Sequence, residues 1–508
     1  MNNYRQISVQ YRTEGALATG LDHVARPDGA STFILLSGLL LTALLLQSRI
    51  PSEVARTAAI GVGVSLVAAI LADLRHGWQN LFRADVMAVC ALYFLTFVEF
   101  LFPQPQFDIQ LQNYDVVPAA VLCLWGFAGL AIGRHLRMPL PRGLQTLLSR
   151  PVPHRFLIMI FWSSFFLGTL HMLIAVGFNP VRMVELMLEA RFSQPWARGR
   201  LGDWNALIYE TGLLLYLVPP LAGLIFARRH EYPGVHVMLI VLGFLFILFQ
   251  GFSTGTRNVF DSYLVTASVA YCYGLPRRRR REAIILGVLC FFALLLSTQM
   301  MLQFRRVGLR GYLQNGSPRE IIETDRQFFV DHNLYVIAGL AREIPKTYDH
   351  LGFEVPYLAL IHPIPRAIWP EKPEGMSVSV EKVMRLQNTG VGLAATFVGE
   401  AYLAGGTLAV FLAGCFFGMV ARWWGQLAST FSSQFGIFIY ASGFFAIVIS
   451  MRSLLWFTTA ILPPLAAITA GIINARRAQK NTLFPSGFCK TTISTLPRDV
   501  RYKLVKHC

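Results

Sequence analysis

The stretch VVPAAVLCLWGFAGLAIG fills residues 116–133, and the segment behind it carries Arg134, Arg137, Arg142 and Arg150. No charged side chain interrupts the run, which is long enough for a helix to cross a hydrocarbon core about 30 Å thick. Inside lipid only a helix or a closed barrel satisfies every backbone donor and acceptor, so the run reads as a transmembrane helix. The arginines behind it set its direction, because positive charge in short loops is retained on the cytoplasmic side.

Working outward, comparable runs recur at 31–49, 57–74, 85–102, 155–177, 205–227, 235–251, 259–275, 283–304, 394–420, 435–450 and 453–473. Together they predict an all-α polytopic membrane protein of about twelve transmembrane helices. The composition agrees, with 54% of the 508 residues hydrophobic and only 14% charged. The expected layout is an N-terminal tail (1–30), a nine-helix bundle (31–304), a long external loop (305–392), three further helices (393–474) and a C-terminal tail (475–508). The first apolar run has no small-residue cleavage site before it and reads as a retained helix, not a removed signal peptide.

The net charge of +17 is carried by short loops between apolar runs, not by a polar domain with interleaved aromatics. That distribution fits topology and lipid phosphate better than nucleic acid, which is not expected as a partner. Arg134 to Arg150 and the run Arg277 to Arg281 fix two cytoplasmic loops. With an even number of spans both termini then lie in the cytoplasm. Parity puts four basic segments outside, where topology does not call for charge: Arg182 to Arg200, the turn at Arg257, the loop 305–392, and Arg452. Cys90, Cys123, Cys272, Cys290 and Cys415 lie in apolar runs and Cys489 and Cys508 in the tail, without CxxC or Cys/His spacing, so no disulfide framework or metal site is expected.

Local breakers qualify the helices. Pro219-Pro220 and Pro463-Pro464 are expected to kink or interrupt theirs. Asn179 to Leu201 suits an interfacial amphipathic helix or a connecting helix packed on the bundle. Walker, dinucleotide-binding, zincin and D-x-D motifs are absent, so chemistry here would need a substrate activated beforehand.

Four features could carry it. The turn Gly251-Phe-Ser-Thr-Gly-Thr-Arg-Asn258 combines glycines, hydroxyls and Arg257 in a form that suits a phosphate, although Arg257 could simply pair with Asp261. Arg305, Arg306 and Arg310 gather where the ninth span meets the head groups, able to hold a diphosphate or attract anionic lipid. His362-Pro-Ile-Pro-Arg366-Ala-Ile-Trp369-Pro-Glu-Lys372-Pro373 reads as a stiff, extended ribbon presenting Arg366, Trp369 and Lys372, or as a structural wrap over the bundle. Glu400 and Arg452 are ionisable groups near the external ends of their spans, either a site or a mutually neutralising pair.

The segment Asp331-His-Asn-Leu to Pro373, the G-x-R element at Gly255 to Arg257, and Gly390-Val-Gly392 through Gly399-Glu-Ala-Tyr402 to Gly405-Gly406 resemble the Wzy-type O-antigen or oligosaccharide repeat unit polymerases. The I-P-R-x-I-W-P-x-K-P ribbon is the strongest part of a likeness that covers about residues 250–410. It implies a GT-C-like polymerase/ligase bundle in the bacterial inner membrane, making O-antigen, capsule or exopolysaccharide from undecaprenyl diphosphate-linked oligosaccharides, with a flippase and a chain-length regulator of the same pathway as partners. No cofactor or metal is implied. Arg257, Arg305, Arg306, Arg310, Arg366, Trp369, Lys372 and Arg452 would then bind diphosphate or glycan, and His332 or Glu400 would act as base. An O-antigen ligase shares this logic with a different acceptor. A transporter or flippase of lipid-linked sugars should instead place charges near the midplane of several helices, whereas this sequence keeps most of them at one face.

Overall fold

The computed structural model describes residues 27–48, 50–111, 116–196, 205–275, 280–314, 330, 333–366, 368–373, 375–384, 393–430 and 433–483. Regular structure among them is entirely helical, without a strand. Among the described residues seven helices are long and apolar enough to cross a membrane: Pro51–Leu74, Val116–Gly133, His154–Ala175, Leu207–Ala227, Gly234–Ser253, Thr396–Ala428 and Leu454–Gln479. Gly29–Leu45, Ala84–Thr96 and Gln434–Ser450 are shorter apolar helices, and Arg257–Gly274 and Arg280–Gln314 cover the two other apolar runs. Many leucines and phenylalanines point outward, among them Phe33, Leu40, Leu242 and Phe292. Helices apolar on both their inner and outer faces belong in lipid.

Both proline pairs interrupt a helical span by starting a new segment. The span ending at Ala227 runs as the α-helix Asn205–Glu210, the 3-10 helix Thr211–Leu217 and the α-helix Val218–Ala227, with Pro219 and Pro220 in the first turn of the last. Pro463 and Pro464 likewise open Leu462–Leu483 after the short helix Leu454–Ala460. In a first turn the missing proline N–H would have had no intrahelical acceptor anyway. The expected helix from Asn179 to Leu201 is shorter: Pro180–Met187 is α-helical, capped by the Asn179 side chain, a 3-10 turn follows at Arg191–Ser193, and residues 197–201 lie outside the described set. Met183 and Met187 are buried and Val181 is exposed, so the segment packs on the bundle with its other side outward.

The two halves of the chain meet where Val116–Gly133 lies against Thr396–Thr430, glycine to glycine. A Cβ on Gly129 would sit 2.4 Å from the Phe411 carbonyl oxygen, one on Gly133 2.2 Å from that of Cys415, and one on Gly418 2.5 Å from that of Leu130. Gly129 and Gly133, like Gly414 and Gly418, are four residues apart and so share a helix face. Pairs of small residues at that spacing let backbones approach and replace the hydrophobic driving force that lipid does not supply.

Many of the polar contacts between segments fall into two sets. One gathers around the residue 74–84 connection. Arg83 forks onto Asp85 through Nε (3.0 Å) and Nη2 (2.6 Å) and reaches Asp73 at 3.5 Å. Arg134 meets the other Asp73 oxygen at 3.5 Å and donates to Ser31 (3.1 Å) and Thr32 (2.6 Å). All four charged groups are buried, two cationic and two anionic, so the cluster is internally neutral. This corrects the reading of Arg134 as a loop cation that marks sidedness: it is a structural group, and Arg137, Arg142 and Arg150 are the exposed charges of that loop. To the same set belong Tyr232 with Gln434 (2.5 Å) and Tyr440 with the Phe82 carbonyl (2.9 Å). The second set joins residues 52, 95, 99, 189, 257, 310, 330 and 333, together with the 350–362, 400–406 and 453–459 segments.

Replacing Gly129 by Leu is expected to force the two halves apart at a cost of about 1–3 kcal/mol or more. The check is thermal unfolding of the detergent-solubilised protein: the variant should melt several degrees lower, while Gly143→Leu, where a Cβ meets nothing within 4 Å, should not.

Candidate functional site

The second set of contacts is organised by residues 330–343. Val330 is held on both sides of its backbone: its N–H donates to Glu99 Oε2 at 2.8 Å, and its carbonyl accepts from Arg257 Nη1. Three residues on, Asn333 Nδ2 donates to the Leu95 carbonyl at 2.9 Å and opens the helix Asn333–Glu343, whose Leu334, Val336, Ile337, Ala338 and Leu340 are buried. That helix packs against Val116–Gly133 and Thr396–Thr430, with Ile337 and Leu340 over Gly399. Part of the long loop is therefore built into the bundle. Glu99 itself sits in a 3-10 turn, Val98–Leu101, and is 5% exposed.

Arg257 is the first residue of its helix, reached through a turn that needs Gly255 at φ +61°. The expected hydroxyl ligands point elsewhere: Ser253 Oγ donates to the Gln250 carbonyl (3.2 Å) and Thr254 Oγ1 to that of Gly251 (2.9 Å). Asp261, one turn further on, accepts from Ser297 at 3.3 Å and is close enough for the Arg257 charge to act on it, as the alternative pairing expects. So the turn presents Arg257, and the two hydroxyls tighten the helix end behind it.

A second docking point lies where Thr396–Thr430 breaks. Gly405 and Gly406 leave helical geometry, the latter at φ +70°, and this frees carbonyls on the preceding turn. The loop fills them: Leu351 N–H donates to Leu403 O and Gly352 N–H to Ala404 O, both at 2.9 Å, while His350 Nδ1 lies 3.0 Å from Tyr402 O. Just before the break, Glu400 caps the next helix over. Its carboxylate accepts from Ser453 Oγ and from the Leu454 N–H, each at 2.6 Å, and the residue is 4% exposed. Half-buried Arg452 is close enough for its charge to act on Glu400. With each carboxylate oxygen accepting a short bond, Glu400 is placed as a helix cap.

The proline-rich ribbon differs from its expected form. Instead of an extended strip it is a chain of turns, with Ile364 N–H on Ile361 O, Trp369 N–H on Pro365 O and Lys372 N–H on Trp369 O. Its basic side chains fold back. Lys372 Nζ donates to the carbonyls of His362 (2.7 Å) and Ile364 (2.9 Å), and Arg366 to those of Pro370 and Pro373 at 3.3 Å each. Prolines remove amide donors, so carbonyls here depend on side chains for partners. Trp369 packs beside the apolar cluster that includes Val355, Leu358 and Leu455. Arg366 remains exposed.

Arg310 is placed in an ion pair with Glu189 at 3.0 Å, and its N–H donates to the Leu188 carbonyl. The approach depends on Gly308 at φ +78°, where a Cβ would meet Ala190 N at 2.5 Å. Arg305 and Arg306 lie on the helix Arg280–Gln314, with side chains outside the described set. His332 lies outside the described residues. The structure thus brings Arg257 to the docked loop start and places Glu400 and Arg452 together, while Arg310 and Lys372 serve local structure. Glu99 was missed by sequence reasoning, although a lone carboxylate in an apolar run is the signal that should have found it.

A family model described as a domain of unknown function (DUF8712) matches residues 296–463. The match takes in the long loop, the broken helix and Arg452, and leaves out Arg257 and Glu99. No curated protein and no solved structure matches the chain.

Glu99→Ala should leave the buried Val330 N–H without its acceptor, a loss of about 1–3 kcal/mol. Hydrogen exchange is the readout. Amides of 330–343 should exchange roughly 10- to 100-fold faster, and Glu99→Gln, which keeps an acceptor oxygen, should recover most of the protection.

Proposed function

We propose that this chain is a Wzy-type polymerase of the bacterial inner membrane, with twelve spans in a GT-C-like bundle and both termini cytoplasmic. It joins undecaprenyl diphosphate-linked oligosaccharide repeat units at the periplasmic face. The observation that carries the reading is the joint held by Val330, where a long loop rich in basic residues is fastened to the helix start that bears Arg257. A fixed cationic region at one end of a membrane bundle suits a lipid-borne diphosphate. The twelve apolar runs all fall on helices. The two sets of polar contacts described above also support the topology, since each joins only segments that charge parity assigns to one side.

In this reading the free hydroxyl of one lipid-linked unit attacks the anomeric carbon of the glycan carried by another. The new glycosidic C–O bond forms as the anomeric carbon–oxygen bond to the diphosphate breaks, and undecaprenyl diphosphate departs with the electron pair. Arg257, Arg305, Arg306, Arg366 and Arg452 would neutralise the departing charge. Arg310 and Lys372 are given up as ligands because their bonds hold the loop together. The hydroxyl proton would pass to His332, which immediately precedes the anchored Asn333.

Deleting the gene in its host should collapse the glycan ladder on a gel to single-repeat bands. Loss of every band would indicate a ligase or flippase instead. Arg257→Ala and Arg366→Ala should each reduce polymer by about a hundredfold, the size expected for a lost donor to a developing anion. Full complementation by both would end the diphosphate assignment.

A further inference from the structure

The helix Glu354–Ile361 has one charged residue, the exposed Glu354 at its start, and is apolar on both sides from Val355 to Ile361. Its inner side, Val355, Leu358 and Ile361, is buried against Leu340, Ile344 and Leu455. Its outer side is covered by nothing in the described chain: Phe353 is 92% exposed, Tyr357 45% and Leu360 72%. These positions stand at i, i+4 and i+7 and so form one stripe. In the turns that follow, Ile364 and Ile368 are also exposed.

Where this helix sits says what covers it. It is fastened along Leu454–Ala460, by Thr458 Oγ1 donating to the Ala359 carbonyl at 2.7 Å and by His362 Nδ1 2.9 Å from Thr459 Oγ1. Leu454–Ala460 is the opening of the candidate span Leu454–Gln479, whose Trp456, Leu462 and Leu465 also point outward. The uncovered stripe therefore continues the surface of a helix that itself belongs in hydrocarbon. Arg366, exposed in the next turns, supplies the positive charge that suits an anionic head-group layer.

We propose that the loop segment from Phe353 to Arg366 is embedded in the membrane, with Glu354 and Arg366 at head-group depth. Phe353, Tyr357 and Leu360 lie among the lipid acyl chains of the adjoining leaflet. The loop then enters the bilayer and leaves on the same side, which no reading of it as a water-exposed domain includes. The proposal does not depend on the polymerase reading, because it concerns where the segment lies and not what the protein makes.

The test uses the full-length protein in liposomes containing anionic phospholipid, with no other protein present. One sample is exposed to hydroxyl radicals generated in water, and another to a photoactivated carbene reagent dissolved in the acyl chains. Peptide mass spectrometry reads both. Phe353 and Tyr357 should be protected from oxidation to the level of lipid-facing Phe33 and Phe166, and the 353–361 peptide should take up carbene as Leu242 and Leu245 do. If the two aromatics oxidise as exposed His350 does, after correction for intrinsic reactivity, and the peptide takes up no carbene, the stripe faces water and the proposal is overturned. That result would leave the stripe as a surface for another protein.

Discussion

Everything at the loop end of the molecule depends on the close approach of Val116–Gly133 and Thr396–Thr430. In lipid, burying leucine against leucine gains little, because the tails are as apolar as the side chains. Association has to come from shape. Glycines at 129, 133, 414 and 418 let one backbone lie on the other, and this contact joins segments that are almost three hundred residues apart. Asn333–Glu343 then has a seat, because it packs on these same two helices. Without the seam, Glu99 and Arg257 would have no fixed segment between them to hold.

The two ends of the bundle handle buried polarity differently. Around Arg83 and Arg134, charge is compensated by charge: carboxylates and guanidiniums meet with hydroxyls filling the remaining positions, as a buried ionic cluster must if it is not to be strongly unfavourable. At the loop end most partners are backbone groups. Glu99 takes an amide, Arg257 a carbonyl, Asn333 a carbonyl, and Glu400 an amide and a hydroxyl. The first arrangement locks side chains to each other. The second uses side chains to set the course of a loop, which is what a protein needs if that loop is to form a site.

The helices were legible from sequence because hydropathy and breakers are local: the apolar runs correspond to helical segments, seven of the described helices being long and apolar enough to cross a membrane, and each proline pair opens a new segment. The amphipathic stretch expected from Asn179 to Leu201 was legible only at its start, since the described α-helix covers Pro180–Met187. What was not legible was partnership. Arg134 lies beside three other arginines in a basic loop, yet its acceptors are on helices about sixty and a hundred residues earlier. Arg310 stands with Arg305 and Arg306 in sequence and meets Glu189 in space. The proline-rich ribbon misled in another way. Prolines do stiffen a chain, but they also leave carbonyls without neighbouring amides, and Arg366 and Lys372 curl back to supply the donors.

This changes what basic charge outside a membrane means in such a chain. Parity marks cations that topology does not require, and it is tempting to assign all of them to an anionic ligand. Each first has a possible claim from its own surroundings, and the claim can be read from geometry. A cation with an acidic partner, such as Arg310, or with two short backbone bonds, such as Lys372, has a structural task that would survive if no ligand existed. Arg366 is different: its contacts are long, its side chain is exposed, and its turn follows a helix with an uncovered apolar stripe. Arg257 differs again, since its bond to the Val330 carbonyl and the nearby Asp261 hold the guanidinium in place at the start of its helix. The surplus of positive charge is thus divided, one share closing the loop onto the bundle and a smaller one left exposed in the turns beside the uncovered apolar stripe.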